Sequence, residues 1–180
     1  APVESLCDFV AATSTDAGPR EPIRLTIYSD FQCPYCKIAD RTLGALQTGP
    51  GLQLEHRQFP LDEECNPLVN RPFHRGACLQ ATAAICAQRQ DRLAPFSERL
   101  FASEAKDPAA LVALAGEAGL DRSRFADCLR SEDARQQLEA EIREGFRAGV
   151  TGTPTLFVNG RKYEGNLDPG GRLQTLEAVR

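Results

Sequence analysis

The chain contains no methionine, has only two histidines, and shows no apolar run near the roughly 18 residues needed for a membrane-spanning helix. Without such a run, no transmembrane helix is expected in this stretch of sequence. His56 and His74 lie eighteen residues apart and there is one Cys-x-x-Cys pair, so the paired ligand spacing of a structural zinc site is missing. The lack of methionine, with Ala1 first, reads as a processed or trimmed product, and a signal peptide or membrane anchor is expected upstream. Basic residues form no stripe. Lys and Arg number 21 against 25 Asp and Glu, the signs are interspersed, and the net charge of −4 excludes an electrostatic nucleic-acid footprint. With 42% hydrophobic and 26% charged residues, 180 residues suit one globular domain, or one domain carrying an insertion.

What is abundant is cysteine: seven, at positions 7, 33, 36, 65, 78, 86 and 128. That is a high count for a cytosolic chain, and an oxidising compartment would use the surplus as structural bridges. Two of the seven stand apart. Cys33-Pro34-Tyr35-Cys36 falls where an apolar β-run, Ile23 to Tyr28, gives way to a helical pattern from Pro34 to Leu46. Thiols at that spacing on a first helical turn can close a disulfide and reopen it. Cys33 is placed at the helix N-terminus, where unpaired N–H groups and the helix dipole favour a thiolate. The thiolate is the nucleophile of disulfide exchange and a good leaving group. Pro34 suits the first turn, because the N–H it lacks would be unpaired there anyway. In this reading Cys33 attacks or is attacked, and the more sheltered Cys36 resolves the mixed disulfide.

The order of elements is mixed. A short amphipathic stretch and a loop occupy the first twenty residues. Ile23, Leu25 and Ile27 alternate as a strand, the thiol-bearing helix stops at Gly49-Pro50-Gly51, and Leu52, Leu54 and His56 alternate again. Helical patterns then fill residues 72–149: one from Gly76 to Gln90, one capped by Asp107 with Pro108 in its first turn, a short one opened by Asp121, and a longer one opened by Ser131. Leu138, Ile142 and Phe146 share a face of the last. Thr155 to Val158, a turn at Asn159-Gly160, and a strand around Lys162-Tyr163 form a hairpin, and a final helix is expected from about Gly170. This is an α/β arrangement: a small mixed sheet flanked by helices and split by a helical insertion.

Three segments resemble the DsbA-type branch of the thioredoxin superfamily: Ser29-Asp-Phe-Gln-Cys-Pro-Tyr-Cys36, Phe125-Ala-Asp-Cys-Leu129 and Gly149-Val-Thr-Gly-Thr-Pro-Thr-Leu-Phe-Val-Asn-Gly160. Residues 61–88 further resemble thioredoxin-like domains that accompany vitamin K epoxide reductase homologues. The resemblance implies a thioredoxin fold with a helical insertion. Residues 1–21 then form an N-terminal extension, 22–64 and 150–180 the thioredoxin-fold domain, and 65–149 the insertion. It implies a cis Thr153-Pro154 peptide against the cysteines, with backbone groups of Thr153 free to pair with an extended substrate. Cys33, Cys36 and Pro154 are the expected catalytic residues, and Pro34, Tyr35 and Thr153 the expected substrate contacts, with no metal and no cofactor. Thiol-containing proteins are the implied substrates. The implied partner is a membrane quinone-linked protein, DsbB-like or vitamin K epoxide reductase-like, and the location is periplasmic or otherwise extracytoplasmic, with a possible membrane tether. In one respect the chain departs from the family. Six residues before the first active-site cysteine many relatives bury an acidic side chain; here that position is Ile27, with Asp30 nearby.

Cys78 and Cys86 are eight residues apart in one helix, about 12 Å along its axis, too far for a disulfide. Cys65 with Cys78 and Cys86 with Cys128 are the favoured pairings; the alternative leaves Cys86 and Cys128 as small buried hydrophobes. Cys7 remains over, free or intermolecular. His74 reads as a loop residue, with a metal cluster alongside Cys65 and Cys78 as the alternative. Lys37 reads as an exposed first-turn lysine, with support of the Cys33 thiolate as its alternative. The leading function is a thiol–disulfide oxidoreductase working as a dithiol oxidase. Its rivals are a reductase or isomerase with the same site, and a module binding Cu(I) or Zn through the two thiols.

Overall fold

The computed structural model describes residues 22–44, 51–165 and the pair 174–175. The Cys7 expectation, the N-terminal stretch and most of the expected last helix lie outside these. Gln174 and Thr175 pair as strand with residues 152–153, where helix was expected.

Alternation of apolar and polar side chains makes β1 (Ile23–Ser29) a strand with two working faces. Leu25 and Ile27 point to one side and Tyr28 to the other. β1 lies at the centre of the main sheet, parallel to β2 (Leu52–Gln58) and antiparallel to β4 (Thr155–Val158), which in turn pairs with β5 (Arg161–Lys162). A second, two-stranded pairing joins β3 (Gly152–Thr153) to β6 (Gln174–Thr175). The parallel β1–β2 connection needs a crossover. Helix α1 (Pro34–Gly44) lies within it, and Ala39 and Leu43 pack with Leu25, Ile27, Leu156 and Val158 into a core on that face.

The other face is covered by helices inserted between β2 and β3: α2 (Ala77–Gln88), α3 (Leu93–Phe101), α4 (Pro108–Glu117), α5 (Arg122–Leu129) and α6 (Glu132–Arg147). Asp107, Asp121 and Ser131 each cap the following helix by accepting the N–H three residues on. α2 is alanine-rich, and with Ala83, Ala84, Ile85 and Ala87 fully buried it forms the centre around which α3, α5 and α6 pack. α6 returns this block to the sheet: the buried Glu141 accepts the Gln58 N–H at 2.7 Å, and Gly145 lies against Phe59 and Tyr28. Leu138, Ile142 and Phe146 line one groove, as their shared face implies, with Phe146 at its exposed side. Phe146 is 56% exposed, and the buried face of α6 runs through Ala134, Leu138, Glu141, Ile142 and Gly145.

Candidate active site

β1 ends at Ser29 and its last turn delivers Cys33 to the start of α1. The Cys33 N–H donates to the Asp30 carbonyl at 3.1 Å, closing the turn. The Cys36 N–H donates to the Cys33 carbonyl at 3.1 Å and faces the Cys33 sulfur at 3.4 Å. Cys33 Sγ donates to the Thr153 carbonyl at 3.5 Å, and the Thr153–Pro154 peptide that leads from β3 to β4 is cis. Two segments more than a hundred residues apart thus meet at one sulfur. Both cysteines are free thiols.

The two thiols are not equivalent electrically. The Cys36 thiol hydrogen-bonds to Cys33 and pulls the Cys33 pKa below its ordinary value, against the opposing effect of burial. Burial first, and then Cys33 itself, push Cys36 well above the ordinary range. Thr153 Oγ1 is buried with no hydrogen-bond partner among the described residues, and its position beside Cys33 also favours the thiolate. Exposure does not separate them, however. Cys33 is 1% exposed and Cys36 0%, so the greater exposure expected of Cys33 is slight; hydrogen bonding lowers Cys33, and burial above all raises Cys36.

Around the pair, Pro34 is exposed and Tyr35 half-buried at the mouth, while Pro154 is buried. A cavity of about 310 Å³ opens beside Cys33, lined among others by Phe31, Pro34, Lys37, Phe101 and Lys106. Lys37 is half-buried in that wall, not fully exposed. Part of the β3 backbone that was expected to be free is already used: Thr153 is in register with Gln174 of β6.

Other cysteines bond as Cys65–Cys78 and Cys86–Cys128. With Cys65 and Cys78 in a disulfide, the alternative metal cluster with His74 does not form. His74 instead sets Nδ1 2.8 Å from the carboxylate of Asp30, a residue whose direction the alternation of β1 did not resolve. The sequence placed Asp30 near the thiols without its direction and read His74 as a loop residue, and it did not single out Phe101. His56 is elsewhere, in register with Ile27 on β2. Ile27 is fully buried in the α1-side core.

A mixed four-stranded sheet, a free dithiol at the start of the first helix and a cis-proline loop against it define a thioredoxin-fold oxidoreductase domain. The DSBA-like thioredoxin domain family matches residues 24–177, and the chain belongs to that family. Among solved structures it resembles a thioredoxin-like oxidoreductase from Silicibacter pomeroyi DSS-3, with TM-score 0.64, 21% identity, and 82% and 80% of the two chains covered. It also resembles the disulfide bond oxidoreductase DsbG of Mycobacterium tuberculosis, with TM-score 0.60, 26% identity, and 79% and 71% covered. Among curated proteins it is 29% identical over 172 residues to Na(+)/H(+) antiporter NhaA 1 of Salinispora arenicola, covering 92% of this chain and 25% of that protein. The chain therefore spans about a quarter of the length of that curated relative.

Proposed function

We propose that this chain oxidises protein dithiols outside the cytoplasm, with Cys33 as the sulfur that exchanges with substrate and Cys36 as the resolving one. The observation that carries the reading is the free Cys33–Cys36 dithiol at the start of α1, with Cys33 Sγ 3.5 Å from the Thr153 carbonyl and 3.4 Å from the Cys36 nitrogen; charge is favoured on Cys33 and disfavoured on Cys36. In the oxidised state a substrate thiolate attacks Cys33 Sγ, the Cys33–Cys36 bond breaks, and Cys36 leaves and takes up a proton. A second substrate thiolate then attacks the substrate sulfur of the mixed disulfide, and Cys33 leaves as the stabilised thiolate. The substrate loses two electrons and the dithiol gains them. Stabilising the reduced form in this way makes a disulfide a stronger oxidant. Thr153, whose carbonyl meets Cys33 Sγ, and Pro34 and Tyr35 between the cysteines would contact the substrate chain, and Pro154 follows Thr153 in the same loop. The two structural disulfides support an oxidising location. A membrane quinone-linked protein, DsbB-like or vitamin K epoxide reductase-like, would accept the electrons.

Two measurements test this. Cys36→Ser is expected to accumulate mixed disulfides with substrate proteins and Cys33→Ser to accumulate few; the reverse pattern exchanges the roles. Equilibration of the dithiol against glutathione separates oxidase from reductase. An oxidase is readily reduced, and a pair that resists millimolar reduced glutathione overturns the direction proposed here.

A further inference from the structure

Asp30 is the last residue before the turn that presents Cys33, and its side chain is fully buried. It meets the thiols in two ways of opposite sign. Its backbone N–H points at Cys36 Sγ at 3.4 Å and favours a thiolate there, whereas its carboxylate charge disfavours a thiolate on both Cys33 and Cys36. The carboxylate is firmly held. Oδ1 accepts the Gln32 N–H at 2.7 Å, and Oδ2 accepts the Leu61 N–H at 2.6 Å and lies 2.8 Å from His74 Nδ1.

His74 comes from a different segment, is held by its own N–H donating to the Leu61 carbonyl at 3.1 Å, and stacks on Phe73 with ring centroids 4.2 Å apart. Its side chain is 11% exposed, so it joins the buried carboxylate to the surface. The neighbouring charges are committed elsewhere. Asp62 takes the Cys78 and Glu64 N–H groups, and Lys106 donates to Gln32 Oε1 at 3.0 Å. Gln32 Nε2 in turn donates to the Arg75 carbonyl at 2.8 Å, which holds the His74 segment over the Asp30 turn. Lys37, on the first turn of α1, lines the cavity beside Cys33.

We propose that Asp30 and His74 form a hydrogen-bonded pair that sets the oxidising strength of the Cys33–Cys36 dithiol: the carboxylate opposes charge on the thiols, and the imidazole nitrogen 2.8 Å from it offsets that opposition. The two are positioning residues, since neither exchanges disulfides. The proposal rests on the thiol–disulfide reading of the site. A buried ion in a low-dielectric setting acts strongly on its neighbours, and a partner within hydrogen-bond distance weakens its outward field. The same carboxylate also orders the turn through two N–H groups, so a purely structural role would show itself only in stability.

The test reads the dithiol directly. The reduced protein is titrated by thiolate absorbance at 240 nm, and the oxidised protein is equilibrated with glutathione at neutral pH. Asp30→Asn is expected to move the Cys33 titration to lower pH and to shift the glutathione equilibrium at least fivefold toward reduced protein. His74→Phe keeps an aromatic ring against Phe73 but removes the nitrogen that meets Asp30, and is expected to shift both in the opposite direction. Combined with Asp30→Asn, His74→Phe should change the equilibrium less than twofold, because the carboxylate that the imidazole meets is gone. Variants that lose stability but keep the wild-type titration and equilibrium would reduce the pair to a structural brace and overturn the proposal. If Asp30→Asn does not fold, His74→Phe alone decides between these outcomes. Failure of the underlying reading looks different: the wild-type Cys33–Cys36 pair itself would not exchange with glutathione.

Discussion

Asp40 lies four residues beyond Cys36 on α1, and its carboxyl is pushed up from 3.8 to about 6, by burial first and then by Glu98, with Arg41 acting the other way. Because the folded value lies above the unfolded one, folding favours the protonated form. The contribution to stability is complete below pH 3.8 and is lost as pH rises through about 6. Asp40→Asn imitates the protonated carboxyl at every pH. Thermal unfolding should therefore show a gain of about 2–4 °C in Tm at pH 7.5 and almost none at pH 4. A gain of the same size at both pH values would mean that the charge is not the cause. Such single-residue environments are the least legible part of a sequence. Asp30 and His74 illustrate why: Asp30 stands just past a strand end, where alternation no longer dictates direction, and its partner is 44 residues away. Cys33 and Cys36 were readable because a local spacing and a helix start suffice to define them.

Elements with a chemical start signal are readily declared by a sequence, although α2 was legible from its pattern with no side-chain cap at Gly76. Asp107, Asp121 and Ser131 open their helices with a side-chain cap. Helix α3 has none: Arg92 makes no side-chain cap bond, Pro95 sits in the first turn, and its identity comes from burying Phe96 and Leu100 against the helical block. That omission mattered to the site, because Phe101 at the end of α3 lies 4.7 Å from Phe31, centroid to centroid. Packing of this kind overrides propensity at Gly145 as well. Alanine in a helix is ordinarily better than glycine by about 1 kcal/mol. At Gly145, a Cβ would approach Phe59 Cδ2 to 2.8 Å and Tyr28 Cε1 to 2.9 Å, both core rings. Gly145→Ala should destabilise by about 1–3 kcal/mol in urea unfolding. Gly116→Ala is the control, since its new Cβ would meet only the flexible end of Arg122, and it should be neutral or stabilising. Equal effects of the two substitutions would show that α6 can move off the sheet at little cost.

At the scale of the molecule, α2 is bonded near both ends. Cys78 ties its first turn to the loop after β2 through Cys65, and Cys86 ties its last turn to α5 through Cys128. These cross-links differ in reach, with sequence separations of 13 and 42 residues. A longer closed loop removes more freedom from the unfolded chain, which gives about 3 kcal/mol for Cys65–Cys78 and about 4 kcal/mol for Cys86–Cys128. Burial adds to the same order. Cys86 is fully buried in the helical core, so its replacement by alanine also leaves a gap, whereas Cys65 and Cys78 are both partly exposed. Urea unfolding of Cys86→Ala/Cys128→Ala should therefore show the larger loss, and Cys65→Ala/Cys78→Ala the smaller. Position separates the pairs in a second way. The loop bonded by Cys65–Cys78 carries His74, which contacts Asp30 beneath the thiols, whereas Cys86–Cys128 joins two helices of the insertion. Loss of Cys65–Cys78 should change the glutathione equilibrium of Cys33–Cys36, and loss of Cys86–Cys128 should lower stability with that equilibrium unchanged. An equilibrium that moves with the second pair and not the first would show that the helical block, and not the His74 loop, communicates with the dithiol.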